Sequence, residues 1–213
     1  MERVTLVAKL CESMEFTPGD YIGVDRGALI LAESGIQMKA AIGDFDSVDI
    51  RELELIKEHC DEFILLPREK DETDSEAAIK LALNKGYEEI VLQGAMNGRS
   101  DHFLANIMLV YRYMGKVMME DENNCISYLG SGIHFIPKDK FTYVSFVAFE
   151  DCELSLEGVA YPLNHQEIHL GDVYTISNEI VADQGTVSVY KGCCLLIQSK
   201  DAYTTENMEG NAS

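Results

Sequence analysis

The sequence predicts two folded parts in series, an α/β domain built on a parallel sheet and then an all-β domain. Three observations predict this. Short apolar runs alternate with segments of helical period over the first half of the chain. The helical period disappears after "DENN" (Asp121 to Asn124), and β-rich runs bounded by turn residues follow from there on.

Five apolar runs in the first half read as strands: "YIGVD" (Tyr21 to Asp25), "KAAIGD" (Lys39 to Asp44), "EFILLP" (Glu62 to Pro67), "EIVLQGA" (Glu89 to Ala95) and "KVMMED" (Lys116 to Asp121). They are continuous rather than alternating, as in strands buried on both faces. Between them Ile50, Leu53, Ile56 and Cys60 recur at helical spacing, as do Ala78, Leu81 and Ala82, and then Phe103, Ile107, Tyr111 and Met114. Strand alternating with helix means parallel strands joined by crossover helices, so residues 1–122 are expected to form a Rossmann-like parallel-sheet domain.

In the second half the runs are "CISYL", "IHFI", "FTYVSFVAF", "ELSLEG", "VYTISNEIV", "TVSVY" and "CLLIQ". Turns separate them at Gly130-Ser131-Gly132, Pro137-Lys138-Asp139, Gly171-Asp172, Asp183-Gln184-Gly185 and Lys191-Gly192. Residues 123–213 therefore fit a small antiparallel sandwich or barrel, with a β-sandwich as the expectation, ending in a polar tail, "AYTTENMEGNAS", expected to fray.

Composition narrows the function classes. With 213 residues, 46% of them hydrophobic, the chain can bury one sizeable core or two small ones. Seventeen Lys plus Arg against 37 Asp plus Glu give a net charge of −20, which repels nucleic-acid backbones and anionic membranes alike. The opening "MERVTLVAKLCESMEF" has no basic leader followed by an apolar run, and no later run is long enough to span a bilayer, so a cytoplasmic protein is expected. The cysteines, Cys11, Cys60, Cys125, Cys152, Cys193 and Cys194, form no C-x-x-C pair and read as buried free thiols.

Ligands of open α/β sheets bind beyond the carboxyl ends of the strands. Here those ends are acidic. The first ends at Asp25, the second runs into "GDFDS" with Asp44 and Asp46, the third is followed by "REKDETD" with Asp71 and Asp74, and the fourth leads into "GAMNGRSDH" with Asp101. Helix capping accounts for part of this, since "DSVD" resembles a helix start, "TDSE" is a capping box, and Asp101 with His102 can open a helix. Capping does not explain the same residue type at four strand ends. A divalent cation does, and Mg²⁺ suits hard oxygen ligands shared with substrate phosphates, whereas the spacing of "GDFDSVD" is not that of an EF-hand. The loop with Gly94, Asn97 and Gly98 precedes a helix and can turn backbone N–H groups toward an anion, and Arg99 adds a planar fork for phosphate oxygens. Neither a Walker A loop nor G-x-G-x-x-G is present.

The segments "GVDRGA", "GDFDS", "KDETDSEAA", "GAMNGRSDHFLAN", "GVAYPL" and "ISN" resemble, in order and approximate spacing, the thiamine pyrophosphokinase family, over nearly the whole chain from about Tyr21 to Gln198. The resemblance implies an α/β catalytic and nucleotide-binding domain followed by a thiamine-binding domain. Together they move the terminal pyrophosphoryl group of ATP to the thiamine hydroxyl with Mg²⁺, giving thiamine diphosphate and AMP. It further implies a homodimer whose active site is shared between subunits. Carried over by position, Asp44, Asp46, Asp71 and Asp74 are the metal and phosphate centre. Asp25, Arg26, Gly94, Asn97, Gly98 and Arg99 line the nucleotide. Arg99 and Asp101 face the transferring group, with Asp101 the first candidate to accept or orient the hydroxyl proton and Asp74 the reserve. Tyr161, Ser177 and Asn178 stand on the thiamine side. The chain departs from the family pattern at Arg26, at Asn97 in place of a glycine, and at Tyr161 where tryptophan is frequent. The thiazolium cation also suits a chain of charge −20 and an aromatic face at Tyr161. The competing readings are a diphosphokinase for another hydroxymethyl heterocycle such as a pterin, and a regulatory module that binds nucleotide or thiamine without transfer.

Overall fold

The structure is a computed structural model that describes residues 2–8 and 16–201; Cys11 and the tail from Ala202 lie outside the described residues. The chain divides into two compact units, Met1–Asp121 and Glu122–Ser213.

The first unit holds strands β1 (Arg3–Val7), β2 (Asp20–Val24), β3 (Ala40–Gly43), β4 (Phe63–Leu65), β5 (Glu89–Gln93) and β6 (Val117–Glu120). Its helices are α1 (Arg26–Glu33), α2 (Ile50–Glu58), α3 (Asp74–Asn84) and α4 (Ser100–Arg112). The strand order is β4-β3-β2-β1-β5-β6, and every neighbouring pair is parallel. Strand β1, absent from the sequence expectation, is central: Val4, Leu6 and Val7 are fully buried. The chain runs outward from it through β2, β3 and β4, then returns over the sheet by α3, which packs on β1, β2 and β3, to place β5 on the other side. Helix α1 is likewise absent from that expectation, although Ala28, Leu29, Leu31 and Ala32 form its buried stripe. Two helical expectations shift. Only Ile56 of the α2 set is buried, with Ile50 79% exposed and Cys60 beyond the helix in a bridge to Met38. Met114 lies past the end of α4 with φ 43°.

The second unit contains β7 (Asn124–Leu129), β8 (Gly132–Pro137), β9 (Tyr143–Ala148), β10 (Cys152–Glu157), β11 (Leu163–Ile168), β12 (Asn178–Glu179), β13 (Gln184–Lys191) and β14 (Cys194–Ser199). Antiparallel pairing gives one sheet β12-β9-β14-β7 and another β11-β10-β13-β8. Phe146, Val144 and Leu196 from the first sheet share one core with Leu154, Leu156, Val187 and Val189 from the second. The expected strand "VYTISNEIV" shrinks to Asn178 and Glu179, while β11, "LNHQEI", carries no apolar run to announce it because its polar residues are exposed. Cys152, Cys193 and Cys194 are buried thiols as expected, whereas Cys60 and Cys125 are only half-buried.

Candidate active site

Parallel strands place their carboxyl ends on one edge of a sheet, and the strand order reverses direction at β1, the kind of point where α/β sheets bind ligands. The loops that leave this edge after β2, β3, β4 and β5, with the first turns of the helices that follow, carry every acidic residue singled out above in the first unit.

Asp25 follows β2 with φ 49°, and its Oδ1 accepts the backbone N–H of Asp44 at 3.1 Å. Phe45, also left-handed at φ 50°, turns inward, is 6% exposed and stacks on Phe63 with ring centroids 4.8 Å apart. The aromatic residue wedged between the carboxylates is therefore an anchor, leaving Asp44 and Asp46 outward. Asp44 Oδ1 accepts the N–H of Asp46 at 3.1 Å, Asp46 Oδ2 lies 3.9 Å from Arg68, and Arg26 donates to the Ser47 carbonyl at 3.3 Å. The cap of α2 is Asp49, which accepts from Arg51 and Glu52 while Glu52 accepts from Asp49. Asp44 and Asp46 are free of that duty.

On α3 the cap is Thr73, which accepts the Glu76 N–H at 3.2 Å. The expected capping box is only half formed, because the Glu76 carboxylate turns to Arg112 at 3.0 Å and Lys80 at 3.2 Å. Asp74 opens the helix. Its Oδ1 is buried and accepts no well-aligned hydrogen bond, with Lys70 Nζ 3.0 Å away. Burial, then the charge of Asp74, and further the charge of Asp44 push the Asp25 carboxyl up to about 6, against the backbone N–H groups that favour its ionised form. Asp25, Asp44 and Asp74 are thus one electrostatic group. Asp46 turns to Arg68 instead, and Asp71 is exposed in the turn before α3.

The Asp25, Asp44 and Asp74 carboxylates gathered at one edge, with the Asp74 oxygen answered by the Lys70 ammonium at 3.0 Å, fit a further cation, and hard carboxylate oxygens fit Mg²⁺. Among the described residues no three His, Cys, Asp or Glu side chains form a ready-made metal cage. Mg²⁺ needs none, since it takes one or two carboxylates and completes its shell with water and substrate phosphates.

After β5, Gly94 and Gly98 adopt φ 70° and 95°, whereas Asn97 stays out of the left-handed region, so a side chain there meets no backbone penalty. The buried Asn106 of α4 donates to the Ala95 carbonyl at 3.0 Å and tethers this loop. Helix α4 begins without a cap from the Arg99 side chain, and although the His102 N–H turns to Asp101 Oδ1 at 2.9 Å, the start of the helix can face an anion. Arg99 and Asp101, both exposed, pair through Nε to Oδ1 at 3.1 Å and Nη2 to Oδ2 at 2.5 Å. That guanidinium, with the His102 N–H, holds the Asp101 carboxyl down at about 2.

In the second unit Tyr161 is 70% exposed at a small open hollow, lined also by Leu156, Leu163, Tyr174, Ile176 and Asn178. Ser177 is adjacent but does not line it; its φ is 57° and its N–H is held by Ser145 Oγ at 2.9 Å. Sequence reasoning missed Tyr174, hidden in a run with strand composition, along with Lys70 and Asn106. The signals for the last two were a lysine four residues before Asp74 and a lone amide on the apolar side of α4.

A family model described as "Thiamin pyrophosphokinase, catalytic domain" matches residues 19–120, and another, "Thiamin pyrophosphokinase, vitamin B1 binding domain", matches residues 133–194. The chain belongs to the thiamin pyrophosphokinase family. A thiamine pyrophosphokinase of Bacillus subtilis (strain 168) is 40% identical over 187 residues, 85% of this chain and 87% of that protein. The crystal structure of a thiamin pyrophosphokinase family protein from Enterococcus faecalis aligns with TM-score 0.87 at 32% identity, covering 94% of this chain and 100% of that one. That of thiamine pyrophosphokinase from Bacillus subtilis aligns with TM-score 0.85 at 34% identity, with the same coverage. The thiamin pyrophosphokinases are enzymes, and so is this chain. Its catalytic-domain match falls within the α/β unit and its vitamin B1 match within the β unit.

Proposed function

We propose that the chain transfers the terminal pyrophosphoryl group of ATP to the hydroxyl of thiamine in a Mg²⁺-dependent reaction, giving thiamine diphosphate and AMP. The observation that carries this reading is the cluster of carboxylates Asp25, Asp44 and Asp74, on the same sheet edge as the start of α4. In this reading the α/β unit is a Rossmann-like nucleotide layer, and the β unit selects the acceptor.

Asp44, Asp46, Asp71 and Asp74 are the residues that would hold Mg²⁺, Asp44 and Asp74 first among them. Bound there, the ion neutralises the polyphosphate oxygens and fixes their orientation. Arg99, the N–H groups of the Gly94 to Gly98 loop and Arg26 hold the phosphates. The hydroxyl oxygen of thiamine attacks the β-phosphorus, the bond from that phosphorus to the oxygen bridging it to the α-phosphorus breaks, and AMP leaves with the electron pair. Asp101 orients the hydroxyl and passes its proton on to solvent water as the new O–P bond forms. A carboxyl held at about 2 stores a proton poorly, but a loose transition state needs positioning and charge neutralisation more than a strong base. Tyr161 gives the cationic ring an aromatic face. We further propose a cytoplasmic homodimer in which each site draws its carboxylates from one subunit and Tyr161 from the other.

The test is to incubate the protein with ATP, Mg²⁺ and either thiamine or a hydroxymethyl pterin, and to follow AMP. Thiamine-dependent AMP supports the reading; pterin-dependent AMP, or none with either, rejects it.

A further inference from the structure

We infer that Asn178 is a positioning residue for the acceptor, acting through the backbone of Tyr161 rather than by touching the acceptor itself. The inference rests on the reading that the Tyr161 hollow receives thiamine. Although Asn178 counts among the residues around the hollow, it is only 5% exposed, and the oxygen and one N–H of its amide are already committed. Nδ2 donates to the Tyr161 carbonyl at 2.8 Å, and Oδ1 accepts the N–H of Tyr161 at 3.0 Å and that of Glu179 at 2.9 Å. One planar amide therefore satisfies both backbone groups of Tyr161.

The local chain path explains why a side chain does this. Val159 bridges Ile180, and the Ala160 N–H reaches the Glu179 carbonyl at 2.9 Å, so an antiparallel ladder is under way when Tyr161 is reached. At that point the backbone of Asn178 pairs with Val144 of β9 instead. Pro162 follows with no N–H to give. The Asn178 amide stands in for the missing rung and fixes the backbone from which the exposed Tyr161 ring projects.

The same wall is pinned from behind. Thr175 Oγ1 donates to the Phe146 carbonyl at 2.5 Å, the Phe146 N–H returns to the Thr175 carbonyl at 3.0 Å, and Ser145 holds Ser177. Of the five buried polar side chains among the described residues, Ser145, Thr175 and Asn178 all serve this segment. A ring held before binding loses less freedom when the acceptor arrives. Neither an isosteric acid nor an isosteric hydrocarbon replaces the amide. Aspartate lacks the donor for the Tyr161 carbonyl, and leucine leaves three backbone groups unsatisfied.

The test is a double-mutant cycle on the full-length enzyme, comparing wild type, Asn178→Ala, Tyr161→Ala and the double variant, with Asn178→Asp in parallel. Asn178→Ala should raise the thiamine KM roughly ten-fold with the ATP KM unchanged, and should add less than about two-fold once Tyr161 is already alanine. Asn178→Asp keeps the two accepting bonds and should fall between, which preserves the test if the alanine variant does not fold. Effects that multiply in the double variant would show that Asn178 touches the acceptor, and a wild-type thiamine KM in Asn178→Ala or Asn178→Asp would show that it positions nothing; either overturns the inference. Wild-type enzyme that yields no AMP with thiamine rejects the proposed reaction instead, and the same cycle is then read as thiamine affinity by calorimetry. Wild-type protein that neither turns over nor binds thiamine overturns both.

Discussion

The Asp25 carboxylate lies where a side chain on residue 43 would stand: a Cβ built on Gly43 comes within 2.0 Å of Asp25 Oδ1. The glycine of "GDFDS" is thus a contact surface for the carboxylate at the end of the neighbouring strand. It lets Asp25 reach the N–H of Asp44.

Gly43→Ala should therefore displace Asp25 and destabilise the protein by about 1–3 kcal/mol, as overpacking does. A shift of the loop by about 1 Å should also lower kcat/KM by roughly a hundred-fold. Chemical denaturation and steady-state kinetics on one preparation check both.

Asp25 should also set a pH dependence. Its folded pKa of about 6 lies above the ordinary 3.8. The folded state therefore binds the proton more tightly than the unfolded state, so the group costs nothing below about pH 4 and costs progressively more as the pH rises to about 6. An amide at this position cannot ionise, so in EDTA the Asp25→Asn protein should melt above wild type at pH 7.5, with the gap closing by about pH 4. A gap independent of pH would show that the carboxyl is not strained by its neighbours.

Capping and catalysis should separate cleanly. Asp49 caps α2 and Thr73 caps α3, so Asp46→Asn and Asp74→Asn should abolish turnover with unchanged circular dichroism. Asp49→Ala should instead cost about 1 kcal/mol of stability and leave both KM values alone. Near-normal activity in both asparagine variants would reduce those carboxylates to local structure.

Tyr161→Ala should raise the thiamine KM roughly ten-fold or more and spare that of ATP. Mixing Tyr161→Ala with Asp46→Asn protein tests the shared site, because each mixed dimer then has one doubly altered and one intact site and should recover toward half the wild-type rate. Subunit exchange without recovered activity would place each site within one chain.

The acidic strand ends were legible because continuous apolar runs mark where buried strands stop. What each carboxylate does was not. Asp44, Asp46 and Asp49 are chemically alike in "GDFDSVD", and only the folded geometry gives the cap to Asp49 and sets Asp44 against Asp25. Strand β1 escaped because five residues flanked by charge carry little periodic signal, and its central place comes from the partners on either side. "VYTISNEIV" misled in the other direction. Its β-branched and aromatic residues suit a strand, but here Tyr174 and Ile176 line a hollow that side-chain hydrogen bonds hold open.

Phosphorus NMR of the quenched reaction tests the central claim, pyrophosphoryl transfer at the carboxylate centre, most directly. With ATP, Mg²⁺ and thiamine, wild-type enzyme should yield AMP and thiamine diphosphate in equal amounts, and Asp44→Asn and Asp74→Asn should yield neither. ADP with thiamine monophosphate, or undiminished transfer by the two variants, would contradict it.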